Sequence, residues 1–217
     1  MTHSFRAGQA LRAPEVVQQS ALLVAENDHR IANSLSLAAA MLRLQRQKLD
    51  DAVVRQALLD AEMRIASIAH VHAYLHRHDS AERVDLGNFL REALAETDAA
   101  IGIRCSLSAD GPAPMMVSAR FATRIAIIVN ELALNALKHG YGGSAGGVAR
   151  IGLATDPDGQ LQLTFADAGT GLPANFDPGQ GDGLGLRIVT SLVEELEGTL
   201  SCCSDGGARF TIVVPPD

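Results

Sequence analysis

The chain has few of the features that mark membrane, secreted or nucleic-acid-binding proteins. No apolar run approaches the roughly 20 residues that span a bilayer, and the first eleven residues lack the apolar core of a signal peptide. The formal net charge is −7, with no cluster of lysine and arginine to suit a nucleic acid. Three cysteines are an odd number, and the adjacent Cys202 and Cys203 on a predicted strand would point to opposite faces. We therefore expect a reduced, cytoplasmic protein that inserts into no membrane and binds no nucleic acid.

What the chain does contain is a helical segment, residues 130–143, with three functional side chains on one face. Glu131, Asn135 and Lys138 fall at i, i+4 and i+7, so a helix presents an acid, an amide and an ammonium together. The opposite face is apolar. A polar trio on the inner side of such a helix is costly unless it contacts something charged. A metal-bound polyphosphate fits this pattern, and a solvated helix face is the alternative.

Two glycine-containing segments downstream favour the same kind of ligand. An alternating apolar and polar pattern predicts a strand that ends at Asp167, followed by Gly169 and Gly171, which permit close approach of backbone to a ligand. The carboxylate can accept a hydrogen bond from an exocyclic amine such as that of adenine. Gly183 and Gly185 open a predicted helix, whose free backbone N–H groups suit an anion.

In this order the three motifs resemble the ATPase superfamily of histidine kinases, DNA gyrase B, Hsp90 and MutL, over roughly residues 115–215. The resemblance implies that Asn135 coordinates the magnesium ion of ATP and that Glu131 is the acid of the N box. It also implies that Asp167 reads adenine. The other implied nucleotide-binding residues are the glycines Gly169, Gly171, Gly183 and Gly185, with Lys138 and His139 adding positive charge near the phosphates.

The N-terminal third predicts two long amphipathic helices. Apolar residues keep heptad-like spacing over residues 24–49 and again over 54–75, and Lys48–Asp51 supplies a polar break and an N-cap. Two helices of this length cannot bury both stripes by themselves. We therefore predict a homodimeric four-helix bundle.

The first of these helices contains the sequence Asp-His-Arg-Ile-Ala-Asn-Ser-Leu, residues 28–35. A lone histidine on a helix is often structural or merely solvated. However, this segment resembles the phosphoacceptor box of sensor histidine kinases allied to the HWE group, which reads His-Arg-x-x-Asn. The resemblance implies that His29 accepts the γ-phosphoryl group, and Asp28 and Asn33 are rival candidates for orienting its ring.

The chain also departs from that group. It has no tryptophan, so the W-x-E element of the strict HWE group is missing. About fourteen residues ending at Pro14 precede the hairpin and are too few for an input module, so no obvious sensor domain is expected. Input would come from a separate sensory protein or from the lid region between Asp167 and Gly185, if at all. Four histidines cluster near the end of the second helix: His70, His72, His76 and His78. His72 falls on the apolar seam, which favours a packed core residue, and a metal site or a pH-sensitive bundle end are the alternatives for the cluster.

The predicted architecture is α+β. Residues 1–14 are a short N-terminal segment, 15–80 a dimerisation and phosphotransfer hairpin, and 81–217 an ATP-binding α/β sandwich. In the sandwich we expect a helix capped by Asp85 and a mixed sheet covered on one face by three helices. The sheet strands are predicted over residues 101–109, 115–118, 148–155, 160–167, 198–204 and 208–214.

Three functions are compatible with the predicted architecture and motifs. The first is a two-component histidine kinase that autophosphorylates His29 from Mg-ATP and passes the group to an aspartate of a response regulator receiver domain. The second is a phosphotransferase or phosphatase of the same fold that mainly removes phosphate from a regulator. The third is a nucleotide-gated binding module of the anti-sigma type, which would have no use for the histidine-bearing hairpin.

Overall fold

The computed structural model describes residues 30–31, 33–77, 83–110, 114–143, 146–180 and 183–217. The predicted phosphoacceptor His29 and its neighbour Asp28 lie outside the described residues. The same holds for His78 and for the side chains of the other three clustered histidines.

The described N-terminal part is a pair of helices, α1 (33–46) and α2 (Ala52–Arg77). The N-cap predicted within Lys48–Asp51 is Asp51, because its Oδ1 accepts hydrogen bonds from the backbone N–H of Val53 at 2.8 Å and of Val54 at 3.1 Å. The two helices are joined by a buried carboxylate on α2, Glu62, which pairs with two arginines of α1. The predicted break between the helices is therefore confirmed.

The remaining residues form a mixed α/β unit. The helices are α3 (Leu86–Ile101), α4 (Ala119–Asn135) and α5 (Leu184–Glu195). The main sheet has the strand order β2-β4-β5-β7-β6, in which β2 and β4 are parallel and all other neighbours are antiparallel. Its strands are β2 (Arg104–Asp110), β4 (Val148–Thr155), β5 (Leu161–Asp167), β6 (Thr199–Ser204) and β7 (Ala208–Val214).

The core lies between this sheet and the three helices. Along β5 every second residue is buried, and β7 repeats the same alternation. These residues pack with the apolar faces of α3, α4 and α5 into one cluster, so a single face of the sheet is covered. The predicted α+β class, the mixed sheet and its one-sided helical layer are confirmed.

Two strand predictions need correction. The helix α3 runs to Ile101 and Gly102 follows it at φ 70°, the left-handed conformation that commonly ends helices, so β2 begins only at Arg104. The segment predicted at 115–118 is not part of the main sheet. It is β3 (Met116–Ser118), which pairs with β1 (Arg83–Asp85) in a separate two-stranded sheet, where Val84 lies opposite Val117.

The capping of α3 by Asp85 is confirmed, since Asp85 Oδ1 accepts from the N–H of Gly87 at 3.2 Å. The predicted turn 156–159 is also confirmed, because it joins the antiparallel strands β4 and β5. Within the described segments, no helix has both the length and the apolar character required to cross a bilayer.

Candidate nucleotide-binding site

A cavity of about 350 Å³ lies where the end of α4, the end of β5 and the start of α5 meet. Its wall is mostly apolar, with a few polar groups, which is typical of small-molecule sites. The residues that line it are Asn135, Ala136, His139, Gly140, Asp167, Gly171, Leu172, Pro173, Phe176, Gly183, Leu186, Ala208 and Phe210. The structure therefore brings together five of the predicted site residues from three separate sequence motifs.

Asp167 is the buried carboxylate of the cavity, with 6% of its surface exposed. Its Oδ1 accepts hydrogen bonds from the backbone N–H of Gly169 at 2.9 Å and of Ala208 at 3.0 Å. Among the described residues no group bonds to Oδ2. The two backbone bonds fix the orientation of the carboxylate, and its second oxygen can accept a bond from an amine in the cavity.

Glycine is required at positions 169 and 171, after Asp167, for two different structural reasons. A Cβ at Gly169 would lie 2.5 Å from the Cα of Gly140, so only glycine allows this loop to rest on the turn after α4. Gly171 has φ 80°, a conformation that costs other residues free energy. The close approach is reinforced by a hydrogen bond of 3.1 Å from the N–H of Thr170 to the carbonyl of Gly140.

Tyr141, for which the sequence predicted no role, connects this loop to the sheet. The Tyr141 hydroxyl donates to the carbonyl of Val148 at 2.6 Å. It accepts from the N–H of Val148 at 3.1 Å and from that of Ala168 at 2.9 Å. Tyr141 therefore connects the end of the predicted N box, the start of β4 and the loop that follows Asp167.

The predicted polar face of α4 is present, but its geometry differs from a regular helix. Regular α-helix ends at Asn135, and Ala136–Gly140 form a π-helical turn, an element often found at functional sites. Glu131 is 2% exposed, whereas Asn135 is half-buried and lines the cavity. The sequence indicated that this trio contacts something charged. In the structure two of its members pair with charged residues of α2.

The first of these contacts joins Arg64 to Glu131. The Nε of Arg64 donates to Oε1 of Glu131 at 2.8 Å and to Oε2 at 3.0 Å. The second joins Lys138 to Asp60, with 2.5 Å between Nζ and Oδ2. No sequence motif marks Asp60 or Arg64, which lie more than sixty residues before their partners, and neither was predicted to belong to the site.

Gly183 and Gly185 stand at the start of α5. Gly183 is the N-cap of this twelve-residue helix and lines the cavity, so the first turn of α5 offers backbone N–H groups to an anion. A Cβ at Gly185 would lie 2.5 Å from Oε2 of Glu131 and 3.3 Å from Oδ1 of Asn135. The start of α5 and the polar face of α4 are therefore in direct contact.

Other predicted residues have more peripheral positions. His139 is exposed at the rim, and its carbonyl accepts a hydrogen bond of 3.1 Å from the Thr170 hydroxyl. Asn33 is exposed on α1. The sequence did not predict the apolar lining of the cavity, which includes Phe176 of the lid. The Phe176 ring meets that of Phe210 edge to face at a centroid distance of 6.4 Å.

The fold and cavity are those of an α/β sandwich with a small-molecule site, and two family models match the chain. Residues 26–98 match a model described as histidine kinase. Residues 121–217 match the histidine kinase-, DNA gyrase B- and HSP90-like ATPase model. The chain therefore carries the two domains of a histidine kinase, as its motifs indicated.

Relatives with similar sequences agree. The chain is 32% identical over 194 residues to the sensor histidine kinase PdtaS of Mycobacterium tuberculosis, covering 88% of this chain and 38% of PdtaS. It is 30% identical to blue-light-activated histidine kinase 2 of Erythrobacter litoralis, covering 94% of this chain and 59% of that protein. The chain therefore spans between about two fifths and three fifths of the length of these relatives.

Solved structures share the fold. The histidine kinase domain of the Erythrobacter litoralis EL346 blue-light activated histidine kinase gives a TM-score of 0.62 at 24% identity, covering 88% of this chain and 93% of that domain. The longer EL346 structure gives a TM-score of 0.58 at 27% identity, covering 96% of this chain and 62% of that one.

Proposed function

We propose that this chain is the kinase core of a two-component system. In this proposal it transfers the γ-phosphoryl group of Mg-ATP to His29 and then to an aspartate of a response regulator receiver domain. Residues 15–80 serve as the dimerisation and phosphotransfer hairpin and 81–217 as the catalytic domain. The observation that carries the proposal is the cavity, in which a backbone-fixed carboxylate, an asparagine and a helix N-terminus converge.

The binding roles follow from the chemistry of these groups. Oδ2 of Asp167 accepts a hydrogen bond from the adenine amine, and the apolar wall around Phe176 and Phe210 packs against the base. At the other end, the first turn of α5 after Gly183 donates backbone N–H groups to the phosphates. Positioning and charge neutralisation are the main needs of phosphoryl transfer.

The donor set also fits a magnesium ion that arrives with ATP. Mg²⁺ prefers oxygen ligands and commonly takes only one or two from protein, with the rest from phosphate and water. Asn135 offers such an oxygen, at the cavity wall beside Gly185. Bound there, Mg²⁺ would neutralise charge on the phosphates. Lys138 and His139, on the turn that follows Asn135, are the proposed sources of positive charge near the phosphates.

The group that accepts the phosphoryl group is proposed to lie on the helical hairpin. A neutral imidazole carries a lone pair that can attack phosphorus, whereas a protonated one does not. His29 is the proposed nucleophile. Asp28 and Asn33 are the proposed groups for orienting its ring, and Glu131 is the proposed N-box acid of the catalytic domain.

A second copy of the chain completes the proposed hairpin domain. Leu37, Met41 and Leu44 follow one another at helical spacing on α1 and are 55–59% exposed. A run of exposed apolar side chains on a helix marks an interaction surface. Packing of this stripe in a homodimeric four-helix bundle would bury it. Sedimentation equilibrium of the wild type and of Leu37→Glu/Met41→Glu tests the dimer, which we expect to dissociate in the variant.

Phosphotransfer is tested with γ-labelled ATP, Mg²⁺ and a receiver domain added as a chase. We expect label on the wild-type protein to move to the receiver. This transfer should be abolished when the receiver aspartate is replaced by asparagine. Nucleotide binding without labelling, together with faster loss of phosphate from a phosphorylated receiver, would instead identify the phosphatase alternative. Binding with neither activity would leave the nucleotide-gated module.

A further inference from the structure

Two ion pairs connect α2, in the helical hairpin, to the nucleotide site. Asp60 and Arg64 lie one helical turn apart on α2 and so share a face. Asp60 Oδ2 is 2.5 Å from Nζ of Lys138, and about one fifth of each side chain is exposed. At this distance the carboxylate of Asp60 forms an ion pair with the ammonium group of Lys138. It therefore places negative charge where the proposed function places phosphate.

The second pair is more deeply buried. Arg64 is 16% exposed and Glu131 is 2% exposed, and one guanidinium nitrogen bonds both carboxylate oxygens. Another nitrogen of Arg64, Nη2, lies 3.1 Å from the Cβ position of Gly185, beside Oδ1 of Asn135. The arginine therefore reaches the corner of the site where the start of α5 meets α4.

The charges of the two pairs are opposite in sense. The acid Asp60 of α2 pairs with the base Lys138, and the base Arg64 of α2 pairs with the acid Glu131. Both partners in the site, Lys138 and Glu131, are groups that the proposed function uses. An arrangement that ties up both groups with a single helix face is a resting one, because the phosphates and the carboxylate of Asp60 compete for the same ammonium.

We propose that Asp60 and Arg64 are positioning residues that form a clasp between the hairpin and the nucleotide site, and that Mg-ATP must displace at least the Asp60 contact to bind. This inference rests on the proposed function. The clasp holds Lys138 and Glu131 in a resting arrangement and makes the position of α2 a determinant of nucleotide affinity.

A consequence is a reciprocal coupling between helix and nucleotide. If displacing α2 from Lys138 favours nucleotide binding, nucleotide binding must by linkage favour displacement of α2 to the same extent. A signal that shifts α2 within the hairpin would then reach the catalytic residues directly, through the two side chains of the clasp.

The test measures affinity for the non-hydrolysable analogue AMPPNP with Mg²⁺ by calorimetry, and separately the initial rate of autophosphorylation, in Asp60→Asn and Arg64→Gln. Asp60→Asn keeps the size of the side chain and removes its charge. We expect its dissociation constant for the nucleotide to fall about threefold to tenfold, as the loss of a partly buried competing ion pair predicts. Its phosphorylation rate should rise at subsaturating ATP.

Arg64→Gln frees Glu131 but leaves that carboxylate without its buried partner. The melting temperature of this variant is therefore measured together with its nucleotide affinity. Two matched controls carry the same chemical changes at exposed positions: Arg55→Gln on α2 and Asp50→Asn before it. Both should bind the nucleotide as the wild type does. Hydrogen exchange of α2 should increase on addition of AMPPNP in the wild type and less in Asp60→Asn.

The outcomes are distinct. Unchanged or weaker nucleotide affinity in Asp60→Asn would overturn the clasp. So would a loss of phosphorylation rate at saturating ATP in both variants with unchanged affinity, since that result would make the two residues part of the reacting machinery. If the wild type binds no nucleotide at all, it is the proposed function that fails.

Discussion

Replacing Asp167 with asparagine is the sharpest perturbation of the site, because it changes one atom. The amide oxygen can take the position of Oδ1 and continue to accept from the N–H groups of Gly169 and Ala208. The amide nitrogen must then stand where Oδ2 stood. The amide nitrogen and the adenine amine are both hydrogen-bond donors, so no bond can form between them.

The size of the effect follows from the bond that is lost. A hydrogen bond to a charged acceptor contributes about 1.5–3 kcal/mol, and about 1.4 kcal/mol is a factor of ten in affinity. We therefore expect Asp167→Asn to bind ATP about 10-fold to 100-fold more weakly. Inosine triphosphate carries an oxygen at the position of the adenine amine, so the variant should prefer it to ATP, whereas the wild type prefers ATP.

Affinities for both nucleotides are measured by calorimetry. The control is Asp158→Asn, the same change in the exposed turn between β4 and β5, which should bind as the wild type does. Thermal unfolding of Asp167→Asn should stay near that of the wild type, since both backbone bonds are kept. Equal affinity of wild type and Asp167→Asn for ATP, with no change in base preference, would refute the assignment of this carboxylate.

Three further predictions concern the surroundings of the site. Gly169→Ala places a Cβ 2.5 Å from the Cα of Gly140 and should lower the free energy of unfolding by about 1–3 kcal/mol, measured with urea, as expected for overpacking; an unchanged midpoint would contradict this contact. Tyr141→Phe removes the acceptor for the Ala168 N–H and should cost about 1–3 kcal/mol in the same assay, with a higher KM for ATP; unaltered stability and KM would show that the hydroxyl ties nothing down. Burial raises the pKa of the Cys202 thiol, so less thiolate is present at pH 8 than for an ordinary cysteine, and alkylation by iodoacetamide followed by mass spectrometry should be slow there and accelerate as the pH rises; fast alkylation at pH 7 would contradict it.

The elements that sequence predicted best are those with a strong local signal. The alternation along β5 and β7 indicated strands with one buried face, and the structure has both. The sequence identified Asp85 as a cap and placed another within Lys48–Asp51, because a short acidic side chain before an amphipathic run is a local signal. The order of three motifs then predicted the fold of the ATP-binding unit.

What the sequence did not provide depends on contacts between distant residues. The β1 and β3 strands have three residues each, too few for periodicity to reveal their pairing. Arg64 lies 67 residues before Glu131, and nothing in the intervening sequence links them. Tyr141 stands inside the segment 130–143 that carries Glu131 and Asn135, yet its role depends on where β4 and the loop after Asp167 lie.

The central claim is that the nucleotide cavity serves a histidine of the hairpin. The most direct measurement is to incubate the protein with γ-labelled ATP and Mg²⁺ and to compare it with His29→Gln, after showing by calorimetry that both bind AMPPNP equally. We expect acid-labile, base-stable label on the wild type and none on His29→Gln. Label of the same kind and amount on His29→Gln would contradict it.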